Sequence, residues 1–156
     1  MENPVVEMAS ICQIALVVRD VQKTAAAYAE LFGVEMPPVR ETATFDQTNC
    51  VYRSAPTQGR AKLAFFRLGP ITIELIEPID APSTWREFLE TKGEGLHHVA
   101  FMTKGMDAAL HRLEAKGMTT VQTGNYKGGR YAYVDASDQL KVILELLENA
   151  PKPAKA

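Results

Sequence analysis

Gln13-Ile-Ala-Leu-Val-Val-Arg-Asp20 and His98-Val-Ala-Phe-Met-Thr-Lys-Gly105 share one pattern, 85 residues apart. Each opens on a polar side chain and continues as an apolar, strand-like run. A second pair repeats at a separation of 71 residues: Ile73-Glu-Leu-Ile-Glu77 and Leu144-Glu-Leu-Leu-Glu148. A polar group embedded in an apolar strand needs a partner to offset its desolvation. Gln13, Glu74, His98 and Glu145 are all potential metal ligands. One such group per strand, duplicated, points to a metal site at the junction of two half-domains.

The elements around these strings support a duplication. Residues 11–18 read as a buried strand. Val21 to Phe32 reads as a helix, with Asp20 as N-cap and Gly33 as its stop. Pro37-Pro38 interrupts the chain, and strands are expected near 42–52, 62–68 and 71–77. The second half repeats the order: a strand at 97–103, a helix at 106–116 ending at Gly117, then strands near 118–122, 130–135 and 141–147. Between the halves, 83–92 reads as a linker helix. Thr84 and Glu87 fit a capping box, and Trp85, Phe88 and Leu89 form an apolar face. The tail from Asn149 reads as frayed.

A chain of 156 residues with 46% hydrophobic and 23% charged residues predicts a single domain, 1–156, with a sizeable core. A net charge of -2 gives no electrostatic reason to expect nucleic acid or an anionic membrane as partner. No apolar run approaches the roughly 20 residues that span a bilayer, and Met1-Glu-Asn-Pro4 does not read as a secretion signal. Cys12 and Cys50 make neither a disulfide framework nor a CxxC site, so a reducing cytoplasm is the expectation.

Strand alternation assigns the faces. Gln13, Ala15 and Val17 point one way, and Cys12, Ile14, Leu16 and Val18 the other. The second set should pack on the helices, which makes Cys12 a small core residue. His98, Ala100 and Met102 occupy the matching face in the second half, and His97 should face away. Thr72, Glu74 and Ile76 align, as do Ile143, Glu145 and Leu147. Ala15 and Ala100 each follow a proposed ligand by two residues, where a small side chain leaves room for a substrate.

Three strings carry a resemblance: Ile73-Glu-Leu-Ile-Glu-Pro78, Gly93-Glu-Gly-Leu-His-His-Val-Ala-Phe101 and Ile143-Leu-Glu-Leu-Leu-Glu148. They resemble the vicinal oxygen chelate superfamily, which includes glyoxalase I, methylmalonyl-CoA epimerase, extradiol dioxygenases and antibiotic-resistance proteins. The likeness spans roughly residues 10–148 and is nearest to the epimerase and glyoxalase-related branch. It implies an α+β fold of two tandem βαβββ modules, about 10–80 and 95–148, forming a curved, cup-like mixed sheet around a divalent ion. The ligands it implies are Gln13, Glu74, His98 and Glu145. One nitrogen and three oxygens suit zinc, cobalt, nickel, manganese or magnesium.

The chain departs from the epimerases in two places. They usually carry histidine where Gln13 stands, whereas eukaryotic glyoxalase I is known for a Gln, Glu, His, Glu set. Many also read Pro-Glu-Gln-Gly where this chain has Pro56-Thr-Gln-Gly59, and Lys62-Leu-Ala-Phe-Phe66 supplies no acid. Glu74 and Glu145 are then the candidate catalytic acid and base, one from each module. The resemblance implies a small-molecule carbonyl or thioester substrate and a homodimer.

Three functions follow as expectations. The first is a metal-dependent isomerase or epimerase that abstracts a proton beside a carbonyl. The second is a glyoxalase I-like lactoylglutathione lyase. The third is a metal-free binding protein of the bleomycin-resistance type. An extradiol dioxygenase would require histidine at position 13. Arg130, after Lys127-Gly-Gly129, is the candidate anion contact on the substrate.

Overall fold

In the computed structural model, residue 4 and residues 11–151 are described. Asp20 accepts a hydrogen bond from the Lys23 amide, and Gly33 stops the first helix in the left-handed region at φ 63°. That helix therefore has the bounds its caps predict. The elements in order are β1 (Ile11–Val17), α1 (Val21–Phe32), β2 (Arg40–Glu41), α2 (Phe45–Thr48), β3 (Val51–Tyr52), β4 (Ala55–Pro56), β5 (Ala61–Leu68) and β6 (Ile71–Pro78). There follow α3 (Thr84–Thr91), β7 (Gly95–Met102), α4 (Met106–Glu114), β8 (Thr119–Tyr126), β9 (Gly129–Asp135), α5 (Ser137–Leu140) and β10 (Ile143–Asn149).

One curled sheet holds all ten strands in the order β2-β5-β6-β1-β7-β10-β9-β8-β3-β4. Within each module the first and last strands run parallel, β1 with β6 and β7 with β10. The modules join through the antiparallel pair β1–β7. The four strands bearing the repeated polar residues are thus contiguous, third to sixth in this order.

The expected strand at 42–52 does not form as one piece. A two-residue strand, one helical turn and a second two-residue strand replace it. Asn49, Arg53 and Ser54 adopt positive φ, which a continuous strand does not allow. β3 then pairs with β8, so a segment of module one extends the far edge of module two.

The faces follow the alternation of β1. Leu16 and Val18 pack with Val21 and Ala25 of α1 against Phe66 and Leu75. In module two, Met106, Ala109 and Leu113 of α4 cover Ala132, Val134, Leu144 and Leu146. Full burial of a side chain such as Leu113 contributes about 1.5–3 kcal/mol. Ala15, Val17 and Ile76 face the concave side, where Trp85 and Leu89 of α3 meet them with Tyr133. The linker helix therefore plugs one end of the cup. Its N-cap is Ser83, which accepts from the Arg86 amide, rather than Thr84. Thr84 instead donates to the buried Gln122 through its backbone N–H and its hydroxyl.

The second glutamate of each repeated string has its own structural role. Glu77 accepts from the Val21 amide at the start of α1 (2.9 Å), and Glu148 accepts from the Gly105 and Met106 amides at the start of α4 (2.6 and 3.0 Å). A carboxylate there satisfies orphan helix donors and complements the helix dipole. Each has a cation directly across the sheet: Lys62 bonds Glu77 and Arg130 bonds Glu148. The strand that was expected to end near 147 continues to Asn149, and the Ala150 amide bonds the Gly128 carbonyl (2.8 Å). The expected fraying from Asn149 is thus absent up to there, and the last residues, 152–156, lie outside the described residues.

Candidate metal centre

Sheet register brings the four repeated residues together. Ala15 of β1 stands opposite Glu74 on β6 and His98 on β7. Ala100 of β7 stands opposite Gln13 on β1 and Glu145 on β10. The four polar side chains and two alanines thus alternate across the centre of the sheet, and the polar chains converge on its concave side. His98 Nε2 lies 3.0 Å from Glu145 Oε2 and 3.5 Å from Glu74 Oε2. Gln13 Nε2 lies 2.6 Å from Glu74 Oε2 and 3.4 Å from both His98 Nε2 and Glu145 Oε2. Ala15 and Ala100 are fully buried. Each lies between two of the four convergent polar side chains across the sheet.

Glu74, His98 and Glu145 are all buried, with ligand atoms within 4.8 Å of one another. Two buried carboxylates require a compensating positive charge. Without an ion, protonated His98 supplies it: burial disfavours the charged imidazole, but the pull of Glu145 and then Glu74 outweighs this and raises its pKa to about 9. Burial raises the Glu74 carboxyl above its ordinary range, against the opposing pull of His98.

The donor set fits a divalent cation. Donors bound to one ion at about 2 Å lie roughly 3–4 Å apart, and His98 Nε2 lies 3.0 and 3.5 Å from the two carboxylates. The cation would take the place of the His98 Nε2 proton. The Gln13 amide now donates to Glu74, and a half-turn would present its Oε1 instead.

Two β-bulges mark the site, one residue before each module's first polar group. Ile11 pairs with Phe101 and Gln13 with Ala100, leaving Cys12 as an extra residue on β1. Ala15 pairs with His98 and Leu16 with Leu96, leaving His97 as an extra residue on β7. Simple alternation breaks at a bulge. His97 therefore does not face away from His98. Its Nδ1 lies 2.9 Å from His98 Nδ1, and both rings contact Tyr133. Cys12 is likewise half-buried at the bulge, its thiol donating to the Ala100 carbonyl (3.4 Å), and is not a core residue.

Arg130 is not brought to this centre. Counting along β9, it shares the helix-facing side with Ala132 and Val134, and its guanidinium bonds both Asp107 and Glu148. Thr57 is also remote in role: its hydroxyl donates to the Pro82 carbonyl and accepts from the Gly59 amide. The residue missed from sequence is Tyr133, which shares a face of β9 with Tyr131. Tyr133 lies 4.8 Å from the His98 ring, centroid to centroid, and accepts from Trp85 Nε1. The alternation of both tyrosines with Ala132 and Val134 was the available signal. A cavity of about 1120 Å³ opens where β7 and β10 end, lined by Met102, Gly105, Arg130 and Asn149 among others. Of the sequence-selected residues, only Arg130 lines it.

The chain belongs to the glyoxalase/bleomycin resistance protein/dioxygenase superfamily, whose family model matches residues 12–134. It is 32% identical to YwkD, an uncharacterized protein of Bacillus subtilis, over 89% of this chain and 96% of that one. Its fold is shared with a methylmalonyl-CoA epimerase from Mycobacterium tuberculosis, at TM-score 0.63 and 23% identity over 100% of this chain and 97% of that one. A Streptomyces coelicolor methylmalonyl-CoA epimerase in complex with 2-nitronate-propionyl-CoA also aligns at TM-score 0.63, with 22% identity over 93% of this chain and 100% of that one. No helix among the described residues is long and apolar enough to cross a membrane.

Proposed function

We propose that the chain is a divalent-metal-dependent isomerase or epimerase that moves a proton beside the carbonyl of a small thioester. The observation that carries this reading is the convergence of Gln13, Glu74, His98 and Glu145, with a buried carboxylate from each module. The fold shared with methylmalonyl-CoA epimerases favours an acyl-CoA as the thioester. Gln13, Glu74, His98 and Glu145 would hold the ion, which when bound supplies Lewis-acid polarisation of the substrate carbonyl.

The proton chemistry belongs to the two glutamates. Glu145 as carboxylate accepts the α-proton from one face of the carbon. Glu74, released from the ion and protonated by exchange with solvent, donates to the opposite face. The turn ends with Glu145 protonated and Glu74 ionised, and exchange with solvent resets both. Trp85 and Tyr133 close one end of the cup and exclude water there.

A second reading, a glyoxalase-type lyase acting on a hemithioacetal, is favoured by Gln13 as the module-one ligand. It uses the same glutamates for a proton transfer between adjacent carbons.

Elemental analysis of the purified protein is the first test. A single divalent ion per chain, lost in His98→Ala, is expected. Solvent deuterium should then enter the α-position of acyl-CoA thioesters. Exchange confined to hemithioacetals would move the assignment to the lyase. Failure to bind zinc, cobalt, nickel, manganese or magnesium would sink both and leave a metal-free binding protein.

A further inference from the structure

We infer that His97 is a positioning residue: its Nδ1 accepts the Nδ1–H of His98 and thereby keeps His98 Nε2 free for the cation. This rests on the metal-dependent reading above. The two Nδ1 atoms are 2.9 Å apart, so one proton lies between them. The opposite end of the His98 ring, Nε2, lies among Glu145, Glu74 and Gln13. A ring that offers its Nε2 lone pair to an ion carries its proton on Nδ1. His97 is the acceptor within reach of that proton.

The bulge makes this contact. In a regular strand neighbouring side chains take opposite faces. The extra residue at position 97 turns both rings to the concave side, where His97 meets Phe88 of α3 at 5.4 Å and Tyr133 at 5.3 Å, both edge to face. Accepting at Nδ1 leaves the His97 proton on Nε2. That atom is buried and has no well-formed hydrogen bond, the Thr84 backbone giving the ring only a weak one. A poorly satisfied buried N–H lowers stability. A purely structural residue at this position would be better as phenylalanine. The poorly satisfied Nε2–H is accounted for if the acceptor at Nδ1 is what matters.

Module one has no equivalent pair. Its bulge residue is Cys12, whose thiol bonds the Ala100 carbonyl. A glutamine ligand has no second ring nitrogen to be fixed, so no orienting acceptor is required. Metal-ligating histidines generally donate their other N–H to an acceptor, and loss of that partner weakens binding about 10–100-fold.

Two variants and a spectrum test the assignment. His97→Phe keeps the ring packing and removes both the acceptor and the poorly satisfied N–H. It should lower the metal-free melting temperature, because the buried His98 Nδ1–H loses its acceptor, and weaken zinc binding by about 10–100-fold in calorimetric titration. His97→Asn places an amide oxygen near the Nδ1 position and should recover most of that affinity. Nitrogen-15 NMR of the zinc-loaded wild type should show His98 protonated at Nδ1 and His97 at Nε2. Wild-type zinc affinity in His97→Phe, or a His98 Nδ1 without a proton in the loaded protein, overturns the assignment. A wild-type chain that binds none of the five candidate ions overturns the metal reading itself, and this assignment with it.

Discussion

Module one and module two build the same strand lattice but equip it differently. Each supplies one neutral donor from its first strand and one glutamate from its last, with an alanine between them. In module one the neutral donor is Gln13, half-buried, preceded by Cys12. In module two it is His98, fully buried, preceded by His97. Both modules also use their second glutamate, Glu77 or Glu148, to cap the helix on the outer face. The glutamate that caps the outer helix is therefore kept in both modules, while the inner donors differ. Module two has the one donor that can carry a charge, and with it the residue that fixes the ring. Packing tolerates a repeat; on the proposed reading, a site for one substrate and one ion would gain from two unlike halves.

The largest break in the symmetry should be kinetic. Glu145→Gln is expected to lower solvent proton exchange by about 10²–10⁴-fold on the enantiomer whose α-proton it faces, the range for loss of a general base. Glu74→Gln should suppress epimerisation equally while still permitting exchange on one substrate enantiomer. Mass spectrometry of each enantiomer in deuterated water separates these outcomes. Equal loss of exchange on both enantiomers in both variants would mean that the glutamates do not serve opposite faces.

Next comes stability. His98→Ala leaves Glu74 and Glu145 buried without a counter-charge and should destabilise the metal-free protein by about 3–5 kcal/mol near neutral pH. The loss should shrink on acidification, when the carboxyls protonate instead. Gln13→Ala removes a neutral donor and should cost less. Denaturant unfolding of both variants at two pH values measures this difference between the modules.

The pH dependence follows from the His98 imidazole at about 9 without metal. Its folded value exceeds the unfolded value of about 6.5. Its contribution to metal-free stability is thus full below about 6.5 and is lost as pH rises through about 9. Metal binding runs the other way, because the ion must displace the Nε2 proton. Affinity should increase about tenfold per pH unit up to about 9, with about one proton released per ion. Titrations in buffers of different ionisation enthalpy measure the proton count. A pH-independent affinity would exclude His98 as a ligand.

The smallest expected change is Gln13→His, which makes the first strands alike. Imidazole is the stronger donor, so metal binding should be kept or strengthened. The gain should be modest, because the preceding residue is Cys12, whose thiol is already bonded to Ala100. Calorimetric titration of the variant beside the wild type checks it.

Much of this was legible in the chain itself. The βαβββ order, the bounds of α1 and the pairing of Gln13 with His98 and of Glu74 with Glu145 follow from capping residues, a period of two and an internal repeat. These are local signals, and each strand carries its own. The sequence also determined the chemistry on offer: one imidazole, one carboxamide and two carboxylates on otherwise apolar strands. Tertiary structure alone decided how they meet. His97 was expected to face away and Cys12 to enter the core because alternation assumes a regular ladder. A bulge exists only where a partner strand skips a residue, so β1 and β7 had to be paired before it could be seen. Arg130 looked free in a glycine-rich loop until Glu148, directly across the sheet, and Asp107 on α4 claimed it. The strand expected at 42–52 broke because its second part pairs with β8, some seventy residues further along. Side-chain type is written in the sequence, but facing, pairing and burial of those side chains are properties of neighbours distant along the chain.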